Sequence, residues 1–146
     1  MAVSVRKADL DKAILIAVQA HYGQKDRYGQ PYILHPLRVM MKVKSETEKI
    51  IAALHDVVED SALTLEDLKK EGFSNEIIRA VDCLTKREGE PYEAHVERAR
   101  LNRLALPVKI ADLEDNMDPQ RMGMLSDGDK KRIVRYRETW KALHDS

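Results

Sequence analysis

The chain has 146 residues, with 25 basic side chains balanced by 25 acidic ones, so its formal net charge is zero. That balance excludes the broad basic surface needed by binders of nucleic-acid polymers or anionic membranes, while leaving room for a local cationic pocket. The length suits one domain with a sizeable core, and no apolar run approaches a membrane span or a signal-peptide h-region, so a cytoplasmic protein is expected.

Leu10, Ile14, Ala17, Val18 and His21 share one helical face. They predict a first helix from about Ala8 to Gln24, with His21 as a hydrogen-bonded core histidine. From Gly23 to Tyr32, two glycines and a proline without helical period predict an ordered loop. Lys25 and Arg27 make that loop positive, which suits phosphate contact; a solvated turn is the alternative. His35-Pro36 then opens a helix with proline at its first position and Leu37, Met40 and Met41 inward. His35 at such a start is either a cap or a ligand.

The central stretch is His55-Asp56-Val57-Val58-Glu59-Asp60. It ends a run in which Ile50, Ile51, Leu54, Val57 and Val58 mark one face of a helix, with Ser45 as cap and Glu48 completing a capping box. His55 and Glu59 then lie along one stripe, and Asp56 and Asp60 along the next. Imidazole nitrogen together with carboxylate oxygen is the donor set of a divalent ion such as Mn, Fe or Zn.

Thr64 and Ser74 are predicted caps of short helices over Leu65 to Lys70, closed by Gly72, and over Asn75 to Leu84. Cys83, the only cysteine, reads as a buried structural thiol between Val81 and Leu84, and its solitude excludes an intrachain disulfide. Pro91 opens the next helix, with Tyr92, Val96 and Ala99 inward and His95 expected at the surface beside Glu93 and Glu97. Leu104 to Asp112 is the most apolar part of the C-terminal half, so Asp112 arrives in or beside a core. A carboxylate there is costly unless paired or metal-bound. Asn116 follows one turn later on the same stripe. Pro119 stops that helix, and a last one is expected from about Asp129 to Leu143, with Ile133, Tyr136, Trp140 and Leu143 inward and His144 frayed and inert. No segment alternates as a strand does. The prediction is an all-α, single-domain bundle of about seven helices spanning the chain.

Five blocks in this order carry a resemblance. They are Ala20-His21-x-Gly23-Gln24, Gly29-Gln30-Pro31-Tyr32-Ile33-x-His35-Pro36, His55-Asp56-Val57-Val58-Glu59-Asp60, Leu84-Thr85-Lys86 and Lys109-Ile110-Ala111-Asp112-Leu113-x-x-Asn116-Met117. Together they resemble the HD superfamily of metal-dependent phosphohydrolases. Within it they resemble the hydrolase domain of the alarmone synthetase–hydrolases, and most of all the small stand-alone alarmone hydrolases. The resemblance implies an HD-type helical fold and removal of the 3′-pyrophosphate from ppGpp or pppGpp with one divalent ion, manganese. It implies His35, His55, Asp56 and Asp112 as ligands, Glu59 and Asp60 as the catalytic acids, Asn116 as a nucleotide contact, and Lys25 and Arg27 in a basic substrate loop. Two departures stand out. Asp26 separates Lys25 from Arg27 where the long enzymes tend to have adjacent basic residues, and Glu114-Asp115 is more acidic than the usual arginine- and histidine-containing version. The chain is too short for a synthetase domain, so the degradative half is what is expected. Two other readings remain open. One is an HD phosphohydrolase acting on another phosphorylated nucleotide, either a 2′-phosphorylated dinucleotide cofactor or a nucleoside monophosphate. The other is a non-catalytic nucleotide- or metal-sensing module.

Overall fold

The computed structural model describes residues 8–145. Among them are nine α-helices, one 3₁₀ turn and no strand. The helices are α1 (Leu10–His21), α2 (Leu34–Lys42), α3 (Glu46–Leu54), α4 (Val57–Asp60), α5 (Leu65–Lys70), α6 (Asn75–Leu84), α7 (Tyr92–Arg100), α8 (Ala105–Asn116) and α9 (Asp127–His144); the 3₁₀ turn is Pro119–Arg121. The all-α architecture expected from the sequence is the one found.

Helix starts follow local chemistry. The side chains of Asp9, Ser45, Thr64, Ser74 and Ser126 each accept the backbone amide three residues on, satisfying a donor that the helix itself leaves free. Thr64 with Asp67, and Ser126 with Asp129, close reciprocal boxes. The second box starts α9 at Asp127, two residues before the expected position. At the start of α2, Leu34 is already helical, so His35 and Pro36 lie inside the first turn rather than at the cap.

The core is organised around α3, whose residues Ile50 to Leu54 are all buried. It packs against α1, α2, α6 and α8. Ala52 and Ala53 are fully buried and let neighbouring helices approach closely, while Ile51 and Leu54 fill the space between them. Truncating a side chain such as Leu54 to alanine would cost about 2–5 kcal/mol.

The central helix was expected to run on through Val58, and it does not. His55 donates from Nδ1 to the carbonyl of Ala52 at 2.6 Å, occupying the acceptor that the amide of Asp56 would use in a continuing helix. Asp56 turns to φ −106°, ψ −1°, and α4 starts afresh at Val57. This break is one reason the helix count exceeds seven.

Four other expectations are corrected by packing. Met41, expected inward on α2, is exposed to solvent. Val18 faces solvent rather than the core, because the inward stripe of α1 is Ala13, Ile16, Ala17 and His21. Cys83 is only half-buried. His95 is buried at 7% exposure, on the same inner stripe of α7 as Ala99. His21 is the core histidine anticipated, with Nδ1 2.9 Å from Gln24 Oε1. His144 is exposed and its ring packs on Trp140.

Candidate active site

Three elements bring the predicted ligands together. His35 comes from the first turn of α2, His55 and Asp56 from the α3–α4 break, and Asp112 from α8. One ligand atom from each of His35, His55 and Asp56 lies within 4.8 Å of the others. Asp112 Oδ1 is 2.9 Å from His35 Nε2 and 3.5 Å from His55 Nε2. Asp56 Oδ2 is 3.0 Å from His55 Nε2 and 3.6 Å from His35 Nε2.

The tautomers of both imidazoles follow from their outer hydrogen bonds. His55 Nδ1 donates to the carbonyl of Ala52, and His35 Nδ1 donates to Asp115 Oδ2 at 2.6 Å. In each neutral ring Nε2 therefore carries the lone pair. His55 Nε2 is buried without a hydrogen-bond partner. Two lone pairs and two carboxylates converging on one point repel unless a cation lies between them, so this donor set fits a divalent ion. Without one, the rings take up the charge. Burial opposes protonation of His35 and His55, but the facing carboxylates outweigh it and raise both pKa values. Asp56 and Asp112 are held low by the same partners and, for Asp112, by Lys109, despite burial that pushes the other way.

Residues to which the sequence analysis assigned no role support the four. Tyr32 donates to Asp56 Oδ2 at 2.6 Å, and burial with that carboxylate pushes its phenol far up. Lys109 is buried and its Nζ meets Asp112 Oδ2 at 3.2 Å. Asp115 is fully buried; it accepts from His35 and from Arg38 Nε at 2.7 Å, which hold its carboxyl down to about 2 against burial. Asp112, Asp115 and Asn116 follow the i, i+3, i+4 spacing of one helical stripe, so Asp115 was detectable by the rule that picked Asn116. Nothing local marks Arg121 or His95.

A cleft of about 480 Å³ includes all four residues, together with Glu59, Lys25, Arg27 and Asn116. Glu59 Oε1 accepts the backbone amide of Lys86 at 2.7 Å, and burial together with Asp56 and Asp60 raises its pKa. Asp60 is not part of the cleft wall; its carbonyl accepts from Gln24 Nε2 at 2.8 Å, and burial raises its carboxyl too. Asn116 Nδ2 donates to Asp112 Oδ1 at 3.2 Å. Lys25 and Arg27 are exposed on the loop, with Arg27 Nη1 3.5 Å from Asp129 Oδ1. Lys86, Arg121 and Arg132 add positive charge to the same cleft.

The two acidic departures have structural uses. Asp26 accepts the amides of Tyr28 and Gln30, both at 2.9 Å, and meets Arg121 at 3.3 Å. Its negative charge is thus engaged in folding the loop, across a turn where Gly29 takes φ +84°. Asp115 is the orienting partner of His35.

No family model matches the chain. A guanosine-3′,5′-bis(diphosphate) 3′-pyrophosphohydrolase of Vibrio cholerae is 33% identical over 86% of this chain and 20% of its own length. The bifunctional (p)ppGpp synthase/hydrolase SpoT of Escherichia coli is 32% identical over the same shares, 86% and 20%. The chain thus spans about a fifth of the length of these curated relatives. Among solved structures, a metazoan ortholog of SpoT described as hydrolysing ppGpp superposes with a TM-score of 0.76 at 21% identity, covering 97% of this chain and 88% of that one. By sequence the chain is similar to the alarmone 3′-pyrophosphohydrolases, and it shares the fold of that metazoan protein.

Proposed function

We propose that this chain is a hydrolase of (p)ppGpp that removes the 3′-pyrophosphate, giving GDP or GTP and pyrophosphate. Its 146 residues act as one HD-type unit. The reading rests above all on one observation: two tautomer-locked imidazole lone pairs face the buried carboxylate of Asp112 and the partly buried one of Asp56 in a cleft that also presents Lys25, Arg27 and Lys86. The names of the relatives support the substrate.

His35, His55, Asp56 and Asp112 would hold the ion, and Mn suits a set in which half the donors are hard oxygen. When bound, such an ion supplies Lewis-acid polarisation of phosphoryl oxygen and acidifies water. The chain's own residues do the rest. Glu59 is anchored through one oxygen, and the other has no hydrogen-bond partner among the described residues, leaving it to take a proton from the attacking water. Its raised pKa makes it a better base than an ordinary glutamate. Asp60, one residue further from the cleft, contributes by keeping Glu59 basic through its charge. Lys25 and Arg27 neutralise phosphate, and Asn116 offers its amide to a sugar hydroxyl beside the reacting group. The substrate is a free small nucleotide, not a nucleic-acid polymer, and the setting is cytoplasmic.

The test is incubation of Mn-loaded protein with ppGpp, GTP, GDP and a 2′-phosphorylated dinucleotide cofactor, products resolved by anion exchange. ppGpp should give GDP and pyrophosphate, while GTP and GDP, lacking a 3′ phosphate, stay intact. Release of orthophosphate from the other nucleotides with ppGpp untouched would overturn the assignment.

A further inference from the structure

Arg121 lies on the 3₁₀ turn after α8, and its guanidinium reaches two separate parts of the molecule. On one side, Nη1 donates to the carbonyl of Asp115 at 3.0 Å, lies 3.0 Å from the Asp115 carboxylate and meets Asn116 Oδ1 at 3.3 Å. On the other, Nη2 donates to Asp26 Oδ2 at 3.3 Å. The side chain is 13% exposed, so these contacts are largely shielded from water and the charge has little other outlet.

The partners of Arg121 are themselves anchors. Asp26 gathers the amides of Tyr28 and Gln30, around which the Lys25–Arg27 loop folds. Asp115 orients His35, and Asn116 donates to Asp112. Arg121 Nη1 also takes the carbonyl oxygen of the Asn116 amide, which turns that residue's NH₂ toward Asp112. Among the described residues, no other side-chain hydrogen bond joins residues 23–32 to residues 105–121. Asp26 and Arg121 also stand between the main cleft and a second cavity of about 330 Å³, forming part of the wall of each.

We propose that Arg121 is a positioning residue that holds the Lys25–Arg27 loop in register with His35 and Asn116, setting the distance between the phosphate-binding cations and the reacting centre. The planar fork of arginine spans both anchors at once. A lysine ammonium in the same place reaches one anchor and releases the other. The kinetic consequence rests on the phosphate-binding role proposed above for the loop; the mechanical coupling stands on the contacts themselves.

The experiment compares the full chain with Arg121→Lys, Asp26→Asn and the double variant. Hydrogen exchange is followed at the amides of Tyr28 and Gln30 relative to core amides of α3. Arg121→Lys should speed loop exchange about tenfold relative to the core, the scale of one lost charge-assisted hydrogen bond. An unchanged loop-to-core ratio overturns the proposal, including the case in which the whole fold loosens equally. With Mn-loaded protein and ppGpp, each single variant should raise KM about tenfold with kcat within about threefold, as loss of uniform binding does. The double variant should be no worse than the worse single one, because both act through one pair. Multiplicative KM effects overturn the proposal. If wild-type protein leaves ppGpp intact while the exchange ratio rises as expected, the substrate assignment fails and the coupling stands.

Discussion

His35 Nδ1 donates to Asp115 Oδ2 at 2.6 Å, although the two residues are 80 positions apart. The bond fixes the ring's tautomer and aims Nε2 at Asp112 and Asp56. Asp115 is in turn shared with Arg38 and Arg121, so a single carboxylate balances two guanidiniums and orients one imidazole. Asp115→Ala leaves those groups unpaired in a buried setting, at a cost of about 3–5 kcal/mol. Asp115→Asn keeps the shape but turns an amide donor toward other donors. Metal affinity of the asparagine variant should fall about 10–100-fold, as for other lost outer partners of ligating histidines. Calorimetric titration with Mn checks this, and unchanged affinity would remove Asp115 from the site.

Asp56 faces both imidazoles and accepts from Tyr32. Asp56→Asn should abolish both bound metal and turnover, because a neutral oxygen replaces one of two charged donors. Elemental analysis of the purified variant decides the matter: full occupancy would show that Asp56 is not a ligand.

Glu59 separates chemistry from binding. Glu59→Gln still accepts the Lys86 amide through its carbonyl oxygen, but cannot take a proton. Metal content should stay the same while kcat falls about a hundredfold or more. An unchanged rate would reduce Glu59 to a structural acid, and loss of metal would make it a ligand.

The turn before α7 has an acid limit. Arg98 donates to both oxygens of Glu90 at 2.7 Å and holds that carboxyl down to about 2. Arg98 also binds the carbonyls of Asp82 and Thr85, so the Glu90 carboxylate keeps the 85–91 segment tied to the end of α6. The folded pKa lies below the free value of about 4.3, so this stabilisation is complete above that pH and is lost as pH falls toward about 2. The melting-temperature gap between wild type and Glu90→Gln should therefore be constant above about pH 5 and close progressively below about pH 4. A gap that persists to pH 2 would mean that the charge on Glu90 is not what holds the turn.

How much of this molecule was legible in the sequence depended on how local the physics was. Ser45, Thr64 and Ser74 mark helix starts because a cap needs only an amide three residues away. The helical class follows from apolar periodicity, and Asp112 stands out because a carboxylate beside an apolar run requires a partner; the set of His35, His55, Asp56 and Asp112 is what the family resemblance implies. What sequence could not decide was set by contacts between distant segments or by hydrogen bonds that override a periodic pattern. The α3–α4 break exists because the His55 ring takes a backbone acceptor, a choice that a run of helical residues does not reveal. His95, placed at the surface by its charged neighbours, is buried because α7 turns it inward with Ala99; burial and the nearby Lys109 and Arg98 then hold its pKa down to about 4. Asp26 interrupts the basic pair of Lys25 and Arg27 in the sequence, and Arg121, 95 residues away, neutralises it. Sequence named candidate ligands through local need and family resemblance. Only the tertiary structure chose their partners, because pairing a buried charge depends on which distant element arrives beside it.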